Sequence, residues 1–111
     1  MLVSLDLGAV VLDPATRTVT VQDGEPQRLT HLEFRLAYVL MTNRDQVVPT
    51  EILVERVWGY DGSGDRELVR GLISRLRRKI EPSQEDPIFI ETITGVGYRL
   101  TVPESMQITQ D

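Results

Sequence analysis

Six cations, Arg66, Arg70, Arg75, Arg77, Arg78 and Lys79, stand against the single acid Glu67 within fourteen consecutive positions, a local charge of +5 in a chain of net charge −5. The rest of the chain therefore carries −10, and half of its basic residues crowd into this one segment. Guanidinium groups fork onto phosphate oxygens and guanine edges, so a concentration of this kind suits nucleic-acid recognition. It leaves the remaining surface acidic and soluble. Charge alone is equally compatible with a solvated helix face.

Other chemistries lack their residues. His31 is the only histidine, there is no cysteine, and neither a thiolate metal site nor a disulfide framework can form. No nucleophile has a base at credible spacing, and no phosphate cradle appears, so neither an enzyme nor a cofactor is expected. Gly95 and Gly97 lack the strand-then-helix setting of a phosphate loop. Glu81, Glu85 and Asp86 lack the alternating ligands of a calcium loop and read as solvated surface. The longest apolar run, residues 36–41, is far short of the roughly 18 residues of a membrane span, and no secretory signal follows Met1. A soluble intracellular domain with no membrane partner is expected.

The elements that position the arginines follow from pattern. Alternation over residues 2–7 and 17–21, with Val10-Val11-Leu12 between them and Gln27-Arg28-Leu29 after an Asp23-Gly24 turn, predicts a small antiparallel sheet. Thr30 with Glu33 three residues later is a capping box, and it opens a helix whose apolar residues Leu32, Leu36, Val39 and Leu40 recur at helical spacing until Asn43. Pro49-Thr50 can open a second helix, with Leu53, Val54, Val57 and Trp58 on one face and Gly59 as its stop. That phase makes Trp58 a core residue. After a loop of composition Tyr60-Asp61-Gly62-Ser63-Gly64, a third helix runs from about Asp65 to Ile80. At about 100° per residue, Val69, Leu72, Ile73, Leu76 and Ile80 share one sector, while Glu67, Arg70, Gly71, Ser74, Arg77 and Arg78 take the other side. Ile88 to Ile93 reads as a strand returning through Tyr98 to Val102 after a turn at residues 94–97, and residues 104–111 read as a tail beyond a single domain of residues 1–103.

Three helices followed by a hairpin, the last helix basic, is the order of a winged helix-turn-helix. Leu29-Thr30-x-x-Glu33-Phe34, Val57-Trp58-Gly59, Ile73-Ser74-Arg75-Leu76-Arg77-Arg78-Lys79-Ile80-Glu81 and Thr92-Ile93-x-Gly95-x-Gly97-Tyr98-Arg99-Leu100 together resemble the effector domain of OmpR/PhoB-type response regulators, over residues 2 to about 102. The resemblance implies an α+β winged helix-turn-helix with an amino-terminal four-stranded antiparallel sheet, three helices and a carboxy-terminal β-hairpin wing. It implies a bacterial, cytoplasmic, two-component-type transcriptional regulator. The helix of residues 66–80 would read double-stranded promoter DNA in the major groove, and the wing of residues 92–99 would reach the minor groove. By position, Arg66, Arg70, Gly71, Ser74, Arg75, Arg77, Arg78, Thr92, Thr94 and Arg99 are the DNA-binding residues, and Tyr60, Asp61, Gly62, Ser63 and Gly64 form the loop that contacts RNA polymerase. A receiver domain in a longer parent chain and tandem dimers on DNA are further implications.

The chain departs from the family pattern in two places. Where relatives often carry Val-Asp-x-His-Ile, it has Val69-Arg70-Gly71-Leu72-Ile73, and Thr94 replaces an arginine common at the wing tip. These changes are expected to alter which sequence is read and how tightly. Gly71 inside a helix costs on the order of 1 kcal/mol relative to alanine. Arg77→Ala is expected to weaken DNA binding and spare the fold. A second reading keeps the winged helix but makes it a protein-interaction module, its basic face docking an acidic partner.

Overall fold

Successive strand side chains face opposite ways, and in the computed structural model this sends Val10, Leu12 and Val19 into the core. The structure describes residues 3–60 and 65–106. Strands β1 (Leu5–Asp6), β2 (Val10–Asp13), β3 (Thr18–Val21) and β4 (Gln27–Arg28) form the expected four-stranded antiparallel sheet in sequence order. The turn after β3 sits one residue earlier than the sequence suggests. Gln22 and Asp23 are its left-handed central pair, with φ of 51° and 59°, and the Gly24 amide closes it on the Val21 carbonyl at 2.9 Å. Aspartate tolerates that conformation better than most residues, so glycine is not needed at its centre.

Helix α1 (His31–Thr42) begins as predicted. Thr30 Oγ1 accepts from the Glu33 amide, and Glu33 Oε1 accepts from the Thr30 amide at 2.9 Å. Asn43 ends it. Helix α2 (Thr50–Trp58) is closed by Gly59 at φ +88°, in the left-handed region that glycine enters without strain. Helix α3 (Arg66–Ile80) buries Val69, Leu72, Ile73, Leu76 and Ile80, the five residues its period assigned to the core. Each contributes about 1.5–3 kcal/mol of apolar burial, which fixes the rotation of α3 about its own axis.

The hairpin consists of β6 (Ile90–Ile93) and β7 (Gly97–Leu100), both shorter than the runs expected. Ile93 O accepts from the Val96 amide at 2.9 Å, and Gly95 supplies the positive φ of that turn. One element escaped the sequence. Val48–Pro49 forms β5, which pairs with β7, so the wing belongs to a three-stranded sheet in the order β5-β7-β6. Two residues show no periodicity, and only the long-range pairing reveals them. Gly97 answers to this pairing rather than to the turn: a Cβ there would lie 2.0 Å from the Val48 carbonyl oxygen.

Of the residues expected to form a tail, Glu104–Met106 make a short 3-10 turn, and Met106 packs against the core. No helix among the described residues is long and apolar enough to cross a membrane.

Candidate nucleic-acid interface

Helix α3 carries its cations in two distinct settings. Arg66, Arg70, Arg75 and Arg78 are exposed. Among the described residues Arg66, Arg75 and Arg78 make no side-chain bond, and Arg70 holds only a loose i,i+3 contact with Glu67 at 3.7 Å, both side chains being largely in solvent. An exposed pair of that kind contributes little and releases easily. Four guanidiniums are thus available on the outside of one helix.

The other two cations are fastened to the protein. Arg77 is half-buried, and its Nη2 donates to the Ile90 carbonyl at 2.8 Å and to Thr92 Oγ1 at 2.9 Å, tying α3 to the first strand of the wing. Its Nε is buried with no partner. Arg77→Ala therefore cannot be the fold-neutral change anticipated from the sequence. The helical phase explains why: Arg77 lies roughly 80° from Val69, at the edge of the core sector rather than opposite it. Lys79 occupies the other edge. Its Nζ lies 2.7 Å from Glu33 Oε1 and donates to the Arg28 carbonyl at 2.9 Å. Glu33 is only 3% exposed. Burial would raise its pKa, but hydrogen bonds from Lys79 and Thr30 and the charge of Lys79 outweigh that and hold it below the ordinary carboxylate range.

Glu81, expected at the surface, is buried. Its carboxylate accepts from the Ile88 amide at 2.8 Å, from the Phe89 amide at 3.1 Å and from the Ile90 amide at 2.8 Å. Those three amides lead into β6, and the Glu81 carboxylate satisfies them together. The wing's first strand therefore hangs from α3 by two side chains, Arg77 and Glu81. Nothing in the local pattern distinguishes Glu81 from its solvated neighbours Glu85 and Asp86, both of which are exposed.

Between α3 and the wing lies a cleft of about 280 Å³ that brings Arg66 and Arg70 together with Thr92, Thr94 and Gly95. Thr50, Ile93, Val96, Gly97 and Tyr98, outside the ten residues expected to bind DNA, complete its walls. Thr50 donates from both its amide and its hydroxyl to the Val96 carbonyl, holding the wing against the start of α2. Arg99 faces Glu91 across the hairpin and donates to it through Nη2 at 2.6 Å and Nε at 3.1 Å. The hairpin's one arginine is thus already paired, and its tip carries Thr94 instead.

Along the rest of α3, Gln84 Nε2 donates to Ser74 Oγ at 2.9 Å and to the Ser74 carbonyl at 3.1 Å. At Gly71 an added Cβ would meet nothing closer than the Arg75 guanidinium at 3.8 Å. No intramolecular contact therefore requires glycine there. Tyr60 opens the expected polymerase-contact loop and is exposed, and its hydrogen bond to Asp65 pushes the phenol above its usual pKa. The loop's other residues, Asp61, Gly62, Ser63 and Gly64, lie outside the described residues.

This geometry has known counterparts. The family described as "Transcriptional regulatory protein, C terminal" matches residues 24–100. The DNA-binding response regulator MtrA of Mycolicibacterium smegmatis is 40% identical over 99 residues, which is 89% of this chain and 43% of that protein. The chain thus spans less than half the length of such relatives. The Klebsiella pneumoniae RstA DNA-binding domain, solved in complex with the RstA box, superposes with a TM-score of 0.79 at 28% identity, covering 88% of this chain and 96% of that one. The DNA-binding domain of CpxR from E. coli gives a TM-score of 0.75 at 32% identity, covering 88% and 95%. With its four-stranded sheet, three helices and hairpin in the order these domains share, the chain belongs to the OmpR/PhoB-type family of transcriptional-regulator C-terminal domains.

Proposed function

We propose that this chain is the sequence-specific DNA-binding effector domain of a bacterial two-component-type transcriptional regulator, working in the cytoplasm. The observation that carries the reading is the outer face of α3, where Arg66, Arg70, Arg75 and Arg78 are exposed with at most one weak carboxylate contact among them. An α-helix with its side chains is about 10–12 Å across, the width of the major groove, so these four can straddle it while Gly71 and Ser74 approach base edges between them. Arg77 then acts mainly by holding the wing at its angle to α3. Thr92 and Thr94 approach the minor groove beside the cleft, and Arg99 supports the hairpin through Glu91.

The family is one of transcription-regulator domains, not of enzymes. Relatives named as DNA-binding response regulators are about twice this length, which supports a parent protein with a receiver domain. RNA polymerase is the partner of the loop at residues 60–64, and tandem copies on DNA are the assembly. A protein-docking role for the basic face in place of DNA is not favoured, because the RstA domain was solved with its DNA site.

The test is selection of bound duplexes from a random pool at two salt concentrations. Enrichment of a motif at both, with weaker retention at higher salt, is expected. Recovery of no motif, or retention indifferent to salt, would overturn the reading.

A further inference from the structure

Outside α3 the chain holds six cations in a region of net charge −10. Three of them, Arg17, Arg35 and Arg56, converge on one cleft of about 520 Å³ between the β2–β3 turn, α1 and α2. His31, Phe34 and Tyr38 also line it, and among the described residues no carboxylate does. No residue of α3 or of the hairpin contributes, so the cleft is separate from the DNA interface.

Among the described residues none of the three arginines has an ion pair. Arg35 Nη2 donates at 2.9 Å to the Arg56 carbonyl, near the carboxy-terminal end of α2, which seats one guanidinium without neutralising it. The side chains of Arg17 and Arg56 make no bond to any described residue. Arg17 also sits at φ 56°, a conformation that glycine or asparagine adopts more cheaply, with its carbonyl pinned by the Leu29 amide at 2.9 Å. Three like charges repel one another across a concave surface unless an anion joins them. In a chain with seventeen acidic residues to draw on, none has been placed among them.

From this charge pattern we infer that the cleft is a docking site for an acidic polypeptide segment carrying an apolar side chain between its carboxylates. The volume lies in the range of concave binding sites. Phe34 and Tyr38 give an apolar floor, and the arginines form a rim. The ring arrangement separates this ligand from a nucleotide. Phe34 and Tyr38 stack on each other with centroids 6.1 Å apart, and Phe34 is buried, so no aromatic face stands free to sandwich a base. Rim arginines would steer and orient the segment while the apolar side chain supplies burial.

The test is a titration of the isotopically labelled chain with the peptide acetyl-Glu-Asp-Leu-Phe-Asp-Glu-amide, followed by amide chemical shifts. Parallel arms use the same peptide with serine in place of Leu-Phe, and ATP. The expected result is shifts at residues 15–17, 31–39 and 56, with α3 undisturbed. The serine peptide should bind more weakly, and ATP should shift these amides only at higher concentration. The double variant Arg17→Asn/Arg56→Ala should lose about fivefold in peptide affinity, the sum of two rim ion pairs, while binding a duplex as the parent does. Peptide shifts confined to the outer face of α3, no shifts at all, equal binding of the serine peptide, or ATP binding more tightly than the peptide would each overturn the inference.

Discussion

The distinction between free and fastened arginines on α3 has a thermodynamic signature in the salt dependence of duplex binding. Each phosphate neutralised releases condensed counterions, and the slope of log K against log salt is about −0.9 per contact. With Arg66, Arg70, Arg75 and Arg78 as the four contacts, the slope should be about −3.6, which predicts an affinity loss of about 150-fold between 50 and 200 mM salt. Arg78→Ala removes one free contact, so the slope should fall to about −2.7 and the loss to about 40-fold, with stability unchanged. Arg77→Ala should behave oppositely. It removes two hydrogen bonds from a charged donor to Ile90 and Thr92, costing about 1.5–3 kcal/mol of stability, while the slope stays near that of the parent. Fluorescence anisotropy at four salt concentrations and urea denaturation measure the two quantities. If Arg77→Ala lowers the slope by a full contact without loss of stability, while Arg78→Ala leaves it untouched, Arg77 is the phosphate contact and Arg78 is not.

Gly97→Ala should destabilise the domain by about 1–3 kcal/mol through its clash with the Val48 carbonyl, and a urea midpoint equal to the parent's would contradict the β5–β7 pairing. Gly71→Ala should raise the melting temperature, since it gains up to about 1 kcal/mol of helix propensity, yet weaken DNA binding because it fills space on the reading face. Unchanged affinity would remove Gly71 from the interface. The folded pKa of Glu33 lies below its unfolded value, so its contribution is complete above an ordinary carboxylate pKa of 4.5 and disappears as pH falls through the folded value. Acid titrations of stability should therefore fall more steeply below that pH for the parent than for Glu33→Gln. Lys79→Met, which strands the buried carboxylate, should cost toward the low end of about 3–5 kcal/mol at neutral pH because Lys79 itself remains partly exposed. A loss under about 1 kcal/mol would show that Lys79 does not support Glu33.

What sequence could and could not show divides along contact range. The three helices announce themselves by local rules: the Thr30–Glu33 cap, the five core residues of α3 and the left-handed Gly59 all depend on neighbours within a few positions. The hairpin follows from the strand pattern on either side of a turn at residues 94–97, and motif order carried the family. The misjudged residues owe their roles to distant partners. Glu81 resembles its exposed neighbours until β6 arrives beside it, and β5 exists only because β7 lies alongside. Arg77 and Lys79 sit at sector edges, where helical phase is ambiguous and the adjoining element decides between solvent and clamp.

Those two edge residues lie only two positions apart, yet one holds the wing and the other holds the start of α1 and the end of β4. Helix α3, the wing and the amino-terminal sheet therefore share one junction in the last turn of α3. On the proposed function, a domain joined this way reaches a duplex with the angle between α3 and the wing already set, so little ordering entropy remains to be lost on contact. Discrimination among targets then falls to the DNA, through how well the spacing and width of its grooves accept a fixed shape and how cheaply it deforms where they do not.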